Sequence, residues 1–125
     1  MSSSGYILIV DDSVTNQVLL ESILEEEGYK TITVSNIKEA WLRIEKERPR
    51  LILLDLLMPN TTGVEFLQEF MASSFAKHIP VFVVSAANTS YYKEKCKALG
   101  VNEFFPKPVD IKYLISRVKQ VLSNQ

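Results

Sequence analysis

Three carboxylates and one lysine stand at the ends of apolar, strand-like runs of the sequence. They are Asp11, Asp12, Asp55 and Lys107. In an open α/β sheet the carboxyl ends of parallel strands meet at one edge, where ligands bind, so residues distant in sequence can converge there. Carboxylate oxygens suit a hard divalent cation, and an ammonium group beside them suits phosphoryl oxygens. The pattern predicts a site that holds a divalent cation and a phosphoryl group.

Short β-rich runs alternate five times with helical patterns, and this alternation predicts a parallel sheet with helices on both faces. The predicted strands are Ile7–Val10, Thr31–Val34, Leu51–Leu54, Val81–Val84 and Glu103–Phe105. We expect a flavodoxin-like, doubly wound α/β fold, a three-layer (βα)5 sandwich with parallel strand order 2-1-3-4-5. In that order the first and third strands are neighbours, so the three carboxylates should meet.

Boundary signals agree with this division. Asn36 with Glu39 three residues later resembles a capping box, and Gly28 and Gly100 stand where helices should end. Taken alone, Asp12 or Ser13 could simply cap the first helix.

Length and composition limit the possible function classes. A chain of 125 residues with 46% hydrophobic residues predicts one domain, residues 1–125, with a sizeable core. Its net charge of -1 argues against direct nucleic-acid binding. No apolar run approaches the roughly 20 residues that span a bilayer, and residues 1–5 lack the regions of a signal peptide. We therefore expect a cytoplasmic protein that does not enter the membrane.

The carboxylate cluster itself argues for a metal. Carboxylates about 5 Å apart repel by about 3 kcal/mol per pair at an effective dielectric near 20, and a divalent cation relieves that repulsion. The expected ion is Mg²⁺ or Mn²⁺. We assign Asp12 and Asp55 as direct ligands, Asp11 as a ligand through water, and the backbone carbonyl of Leu57 as a further ligand.

Asp55 is the candidate nucleophile, because it follows a central strand on a tight loop, residues 55–59, that can expose it. A carboxylate nucleophile can form an acyl phosphate, a known route of phosphoryl transfer. Lys107 would balance the charge of the incoming oxygens, and the hydroxyl of Ser85, after the fourth strand, would donate to another of them.

Four motifs occur in order along the chain. They are Asp11-Asp12, Asp55-Leu56-Leu57-Met58-Pro59 with Gly63, Ser85-Ala86, and Lys107-Pro108. With these motifs at this spacing the chain resembles a response regulator receiver domain of two-component signal transduction, in the CheY-like superfamily. The resemblance covers essentially its whole length.

The resemblance implies roles for these residues. Asp55 would accept a phosphoryl group from a phosphohistidine on a sensor histidine kinase or histidine phosphotransfer protein. Ser85 and Lys107 would read the phosphoryl group, and the Lys107–Pro108 peptide would be cis. Ser85 and Phe104 would form the switch that alters the face made by the fourth and fifth helices and the fifth strand, where a downstream protein target binds.

The resemblance leaves the oligomeric state open between a monomer and a weak dimer through that face. Glu103 and Arg117 match positions that form ion pairs at such a dimer face in related regulators. Phosphorylation and dephosphorylation would be self-catalysed, but the role would be signal transfer, so we expect a regulator and not an enzyme. Only three residues follow the last apolar helical position, Leu122, so we expect signals to leave through contact with another protein.

Three other functions fit the fold. A flavodoxin-like FMN protein would need a Ser/Thr/Gly-rich loop after the first strand, where Asp11 and Asp12 would repel a phosphate. An aspartyl phosphatase would carry an Asp-x-Asp pattern there, but Ser13 occupies its last position. A phosphorylation-independent interaction module would often lack the acceptor, an acidic partner or the lysine. The sequence names neither the kinase nor the target, and it does not separate a stand-alone protein from a fragment of a larger one.

Overall fold

Five parallel strands and five α-helices alternate in the computed structural model, which describes residues 5–58, 63–87 and 89–123. The strands are β1 Ile7–Val10, β2 Thr31–Val34, β3 Leu51–Leu54, β4 Val81–Ser85 and β5 Glu103–Pro106. The helices are α1 Val14–Glu26, α2 Ile37–Lys46, α3 Gly63–Met71, α4 Ser90–Leu99 and α5 Ile111–Ser123, with a short 3-10 helix at Ser74–Lys77. Pro59, part of one motif, lies outside the described residues.

The sheet order β2-β1-β3-β4-β5 confirms the predicted doubly wound fold. All four neighbouring pairs are parallel, and β1 lies between β2 and β3 with Val10 opposite both Val34 and Leu54. This register brings the carboxyl ends of β1 and β3 side by side.

The core has two halves, one on each face of the sheet. Successive residues of β1 alternate between them: Leu8 packs with α2, α3 and α4, whereas Ile9 packs with α1 and α5. Burying each large apolar side chain contributes about 1.5–3 kcal/mol, which explains why β1, β3 and β4 are apolar on both faces.

Polar residues fix where the first two helices begin. Ser13, and not Asp12, caps α1, since its side chain accepts a hydrogen bond from the backbone N–H of Asn16. Asn36 caps α2 through the N–H of Glu39 at 2.9 Å, and the Glu39 carboxylate accepts from the N–H of Ser35, one residue before the expected capping-box donor. The Asp12 carboxylate is thereby left for another role.

Gly28 and Gly100 both have positive φ angles, 93° and 91°, and follow the ends of α1 and α4 as predicted. Along the described stretches, α1 and α5 are the longest helices at 13 residues each, and no helix is long and apolar enough to cross a bilayer.

The Tyr6 hydroxyl caps the end of α2. It donates to the carbonyl of Glu47 at 2.6 Å and also lies 3.2 Å from the carbonyl of Arg43, and Tyr6 is only 2% exposed. The Arg43 carbonyl also accepts the backbone N–H of Glu47 at 3.0 Å, whereas the Glu47 carbonyl lies just past the last residue of α2 and would otherwise need water.

Replacing Tyr6 with phenylalanine should lower the free energy of unfolding by about 1 kcal/mol at neutral pH, because the Glu47 carbonyl loses its donor. Burial, reinforced by the charge of Glu47, raises the pKa of Tyr6 from 10.0 to about 12. Tyr6 therefore ionises at a lower pH in the unfolded chain than in the folded protein. This contribution to wild-type stability should be lost as the pH rises from 10.0 to about 12. Urea unfolding at neutral and alkaline pH should show the difference between the two proteins shrinking, and a difference independent of pH would contradict this reading.

Candidate functional site

The three predicted carboxylates meet at the carboxyl ends of β1 and β3. One carboxylate oxygen from each of Asp11, Asp12 and Asp55 lies within 4.8 Å of the others. The strand ladder sets this geometry, because the N–H of Asp55 donates to Val10 at 2.9 Å and the N–H of Asp11 donates to Val34 at 3.1 Å. The prediction that strand ends bring the acidic residues together is confirmed.

Lys107 bridges two of the carboxylates. Its Nζ lies 3.1 Å from Oδ2 of Asp11 and 3.1 Å from Oδ2 of Asp55. Residue 107 follows β5, where its backbone N–H donates to the carbonyl of Ser85 at 3.0 Å, and the Lys107–Pro108 peptide is cis as expected. The sequence predicted that this lysine lies at the site, but not that it pairs with both buried aspartates.

Backbone N–H groups hold the other oxygens of the same two carboxylates. The N–H of Ser13 donates to Oδ1 of Asp11 at 2.9 Å, and the N–H of Leu57 donates to Oδ1 of Asp55 at 3.1 Å. Burial raises the pKa of Asp11 above its ordinary value, although the Ser13 N–H and Lys107 oppose the shift. Asp12 is exposed, whereas Asp11 and Asp55 are buried.

The donor set fits a hard divalent cation. With all three carboxylates ionised, the single ammonium of Lys107 leaves two negative charges, which a dication would balance. Carboxylate oxygens are what Mg²⁺ and Mn²⁺ take in proteins. The assignment of Asp12 and Asp55 as direct ligands, Asp11 as a ligand through water and the Leu57 carbonyl as a further ligand stays a prediction.

Millimolar Mg²⁺ should raise the free energy of unfolding by about 1–2 kcal/mol, provided that it exceeds its dissociation constant at least tenfold. In Asp12→Asn this gain should largely disappear, because an exposed charge of the cluster is removed while the buried pair with Lys107 stays. Thermal unfolding with EDTA and with Mg²⁺ measures both gains. Asp110→Asn, an exposed aspartate that caps α5, is the matched control and should keep the gain; an equal gain in all three proteins would contradict the site.

Ser85 ends β4, where it pairs with Pro106 of β5, and its side chain is fully buried. Its Oγ accepts a hydrogen bond from the N–H of Ala87 at 3.1 Å. Phe104, the predicted switch aromatic, is half-buried and packs on the core half that includes Ala87 and Cys96. The structure thus places Phe104 against the core half to which α4 contributes and Ser85 at the carboxyl end of β4, and their switching role stays a prediction.

Glu103 and Arg117 pair within one chain. Nε of Arg117 donates to Oε1 of Glu103 at 3.0 Å, and the hydroxyl of Tyr113 donates to Oε2 of Glu103 at 2.7 Å. The sequence analysis missed Tyr113, although its spacing of four residues from Arg117 places both on one side of α5. A dimer through this face would have to use or break these contacts.

Gln17 is a second residue that the sequence analysis missed. Its side-chain amide, on α1, donates both to the backbone carbonyl of Asp11 and to Oγ of Ser35, which follows β2. The contact with Ser35 depends on the position of the end of β2 relative to α1, so no local sequence pattern predicts it.

A family model for the response regulator receiver domain matches residues 7–119, a stretch that includes every site residue named above. The chain belongs to this family. The receiver domain fold and the position of its acidic cluster therefore agree with the family that the four sequence motifs indicated.

Similar proteins match over nearly the whole receiver domain. Sporulation initiation phosphotransferase F of Bacillus subtilis (strain 168) is 34% identical over 116 residues, covering 93% of this chain and 92% of that protein. The polar-differentiation response regulator DivK of Brucella anthropi is 30% identical over 118 residues, covering 94% and 96%. The signal receiver domain of a signal transduction histidine kinase from Syntrophus aciditrophicus superposes with a TM-score of 0.87 at 35% identity, covering 97% and 92%.

Proposed function

We propose that this receiver domain accepts a phosphoryl group on Asp55 from a phosphohistidine of a sensor histidine kinase or histidine phosphotransfer protein, with Mg²⁺ or Mn²⁺ as cofactor. The observation that carries the proposal is the bridge from Lys107 to Asp11 and Asp55, 3.1 Å on each side, next to the Asp12 carboxylate. Opposite charges held at one sheet edge in this way suit a transferred phosphoryl group and a cation.

Asp55 is the favoured acceptor among the three aspartates. Asp11 is the more deeply buried of the two aspartates that pair with Lys107, with its side chain 3% exposed against 7% for Asp55, and burial raises its pKa. Asp12 is exposed and is not among the carboxylates paired with Lys107. Asp55 combines the lysine contact with a position at the end of central strand β3.

In the transfer step an oxygen of Asp55 forms a bond to phosphorus while the phosphorus–nitrogen bond of the phosphohistidine breaks. The bonding electron pair returns to the imidazole ring, and Asp55 becomes an acyl phosphate. Lys107 would turn its ammonium from the Asp55 carboxylate towards a phosphoryl oxygen. A bound divalent cation would supply electrostatic stabilisation of the phosphoryl oxygens.

Ser85 and Phe104 would couple phosphorylation of Asp55 to a conformational change at the protein surface. The Ser85 hydroxyl would leave the N–H of Ala87 to donate to the phosphoryl group, and Phe104 would repack against α4. Since Phe104 has no hydroxyl, its two positions would differ in packing alone. A downstream protein target would then read the face made by α4, β5 and α5.

An apolar surface beside the site suits the donor protein. On α1, Val18 is 54% and Leu19 40% exposed, and on α5 Ile111 is 41% exposed. Leu19 and Ile111 line one cleft of about 310 Å³ together with Lys107. We infer that a helix of the phosphohistidine protein docks here, since an apolar helix face seated in the cleft would bring its histidine next to the acceptor.

Changing Val18 and Leu19 together to asparagine should slow transfer from a phosphohistidine protein about tenfold, because apolar contact area at the docked surface is lost. Transfer from acetyl phosphate should stay at the wild-type rate, since a small donor needs no docking. Leu42→Asn on α2, where Leu42 is 59% exposed, is the matched control. Equal slowing with both donors would mean that the change damages the site, not a docking surface.

The role would be regulation with self-catalysed phosphorylation and dephosphorylation, and not turnover of a substrate. We place the protein in the cytoplasm, where sensor kinases present their phosphohistidines, as a monomer or a weak dimer through the α4, β5 and α5 face. Direct nucleic-acid binding is not expected at a net charge of -1.

Intact mass after incubation with acetyl phosphate tests the proposal. The wild type should gain about 80 Da, one phosphoryl group, when Mg²⁺ is present and not in EDTA. Asp55→Asn should gain nothing, and the control Asp110→Asn should behave as wild type. If a phosphohistidine protein also fails to label the wild type, the chain is a phosphorylation-independent interaction module and the proposal is wrong.

A further inference from the structure

Gln17 ties α1 to the backbone that carries the acidic pair. Its Nε2 donates to the carbonyl oxygen of Asp11 and, at 3.1 Å, to Oγ of Ser35. Both acceptors follow strands, Asp11 after β1 and Ser35 after β2. Because the acceptor on Asp11 is a carbonyl, the group that faces it must be the amide NH₂ and not the amide oxygen.

The accepting carbonyl belongs to the peptide group that joins Asp11 to Asp12. That peptide is planar, so a hydrogen bond that fixes its oxygen also fixes the direction of the bond leading into residue 12. On its other side, the chain is held by Ser13, whose N–H donates to Oδ1 of Asp11 at 2.9 Å and whose side chain caps α1. The exposed Asp12 side chain is thus carried by a backbone segment that hydrogen bonds hold at both the Asp11 carbonyl and the Ser13 N–H.

The other two carboxylates are oriented through their own oxygens. Asp11 and Asp55 each accept a backbone N–H at one oxygen and Lys107 at the other. Among the hydrogen bonds of residues 5–58, 63–87 and 89–123, none is made by the carboxylate of Asp12. The position of this carboxylate therefore depends on the backbone of residue 12. The Gln17 side chain reaches this backbone at the Asp11 carbonyl.

We propose that Gln17 is a positioning residue for the cation site, acting through the Asp11–Asp12 peptide, with Ser35 holding the amide in place. The inference rests on the proposed function, because it assumes that Asp12 holds a divalent cation. Replacing a residue that hydrogen-bonds to a metal ligand and orients it typically weakens metal binding by about 10- to 100-fold. Gln17 contacts the backbone that leads into Asp12 and not the carboxylate itself, so the lower end of that range applies.

Calorimetric titration of the metal-free protein with Mg²⁺ tests this assignment through Gln17→Leu and Gln17→Glu. Leucine removes both donors, and Mg²⁺ should bind about tenfold more weakly. Glutamate has nearly the same shape but presents an oxygen to the Asp11 carbonyl, so Mg²⁺ should also bind more weakly although the variant carries one more negative charge. Gln68→Leu, at an exposed position on α3, is the matched control and should keep the wild-type affinity.

A second measurement needs no metal. In EDTA, the backbone ¹⁵N chemical shift of Asp12 should move in both Gln17 variants, because the carbonyl bonded to that nitrogen loses its hydrogen bond, and it should stay in Gln68→Leu. Ser35→Ala should produce a smaller change of the same kind in the shift and in the affinity.

The outcomes separate the two proposals. Mg²⁺ affinity unchanged in Gln17→Leu, with only a lower melting temperature, would make Gln17 a structural tie and overturn the inference while leaving the proposed function intact. Tighter binding in Gln17→Glu would show that net charge governs the site and would also overturn it. A wild type that does not bind Mg²⁺ would overturn the proposed cation site together with the inference.

Discussion

Replacing Lys107 with methionine should lower the free energy of unfolding of the metal-free protein by about 3 kcal/mol. The ammonium pairs with both Asp11 and Asp55, whose side chains are 3% and 7% exposed, so its removal leaves two buried carboxylates facing each other. Breaking a buried ion pair costs about 3–5 kcal/mol, and the 19% exposure of the lysine side chain places this case at the lower end. Methionine keeps most of the volume of the side chain, so loss of packing adds little.

Mg²⁺ should rescue this variant more strongly than it stabilises the wild type. Without the lysine, the three carboxylates carry one more uncompensated negative charge, so a dication is attracted more strongly. Urea unfolding in EDTA and in millimolar Mg²⁺ measures both effects, with Lys38→Met, at an exposed position on α2, as the control. Stability within about 0.5 kcal/mol of the wild type in EDTA would show that Lys107 does not hold the buried carboxylates.

Gly63→Ala should lower the free energy of unfolding by about 2–3 kcal/mol and displace the acceptor. A Cβ at Gly63 would lie 2.6 Å from the backbone oxygen of Asp55 and 2.7 Å from Cα of Leu56. Both are backbone atoms, so they cannot swing away as a flexible side chain would. The N–H of Gly63 also donates to the carbonyl of Leu56 at 2.9 Å, which holds the start of α3 directly against the loop after β3.

Gly28→Ala is an informative control for the variant at Gly63. Gly28 has a positive φ of 93°, and a Cβ added there would meet nothing within 4 Å, so alanine should cost about 1–2 kcal/mol from backbone strain alone. Urea unfolding should rank Gly63→Ala as the less stable, and acetyl phosphate should label only Gly28→Ala at the wild-type rate. A Gly63→Ala protein with wild-type stability and labelling would mean that the close approach to Asp55 does not constrain the site.

The strands and their order were predictable because both depend on local pattern and chain connectivity. All five predicted strands start where the structure starts them, since apolar runs bounded by turn residues define them. β4 and β5 each extend one residue further than predicted, to Ser85 and Pro106. These two residues pair with each other, and backbone pairing does not require an apolar side chain.

The meeting of Asp11, Asp12 and Asp55 was also predictable, because strand order alone places the ends of β1 and β3 together. The partners of those carboxylates were not. That Lys107 lies equally far from two carboxylates depends on the exact height of β5 relative to β1 and β3, which no residue pattern encodes. The contacts of Gln17 and the close approach of Gly63 to Asp55 depend in the same way on the packing of a helix against the sheet.

Chemical mapping of the phosphorylated residue tests the central claim most directly. Borohydride reduces an acyl phosphate to an alcohol, so an aspartyl phosphate becomes a homoserine that peptide mass spectrometry can locate. After incubation with a phosphohistidine protein and Mg²⁺, the account predicts homoserine at position 55 and unmodified aspartate at positions 11 and 12, with no homoserine when EDTA replaces Mg²⁺. Homoserine at position 11 or 12, or none at any position in a sample that has gained phosphoryl mass, would contradict Asp55 as the acceptor.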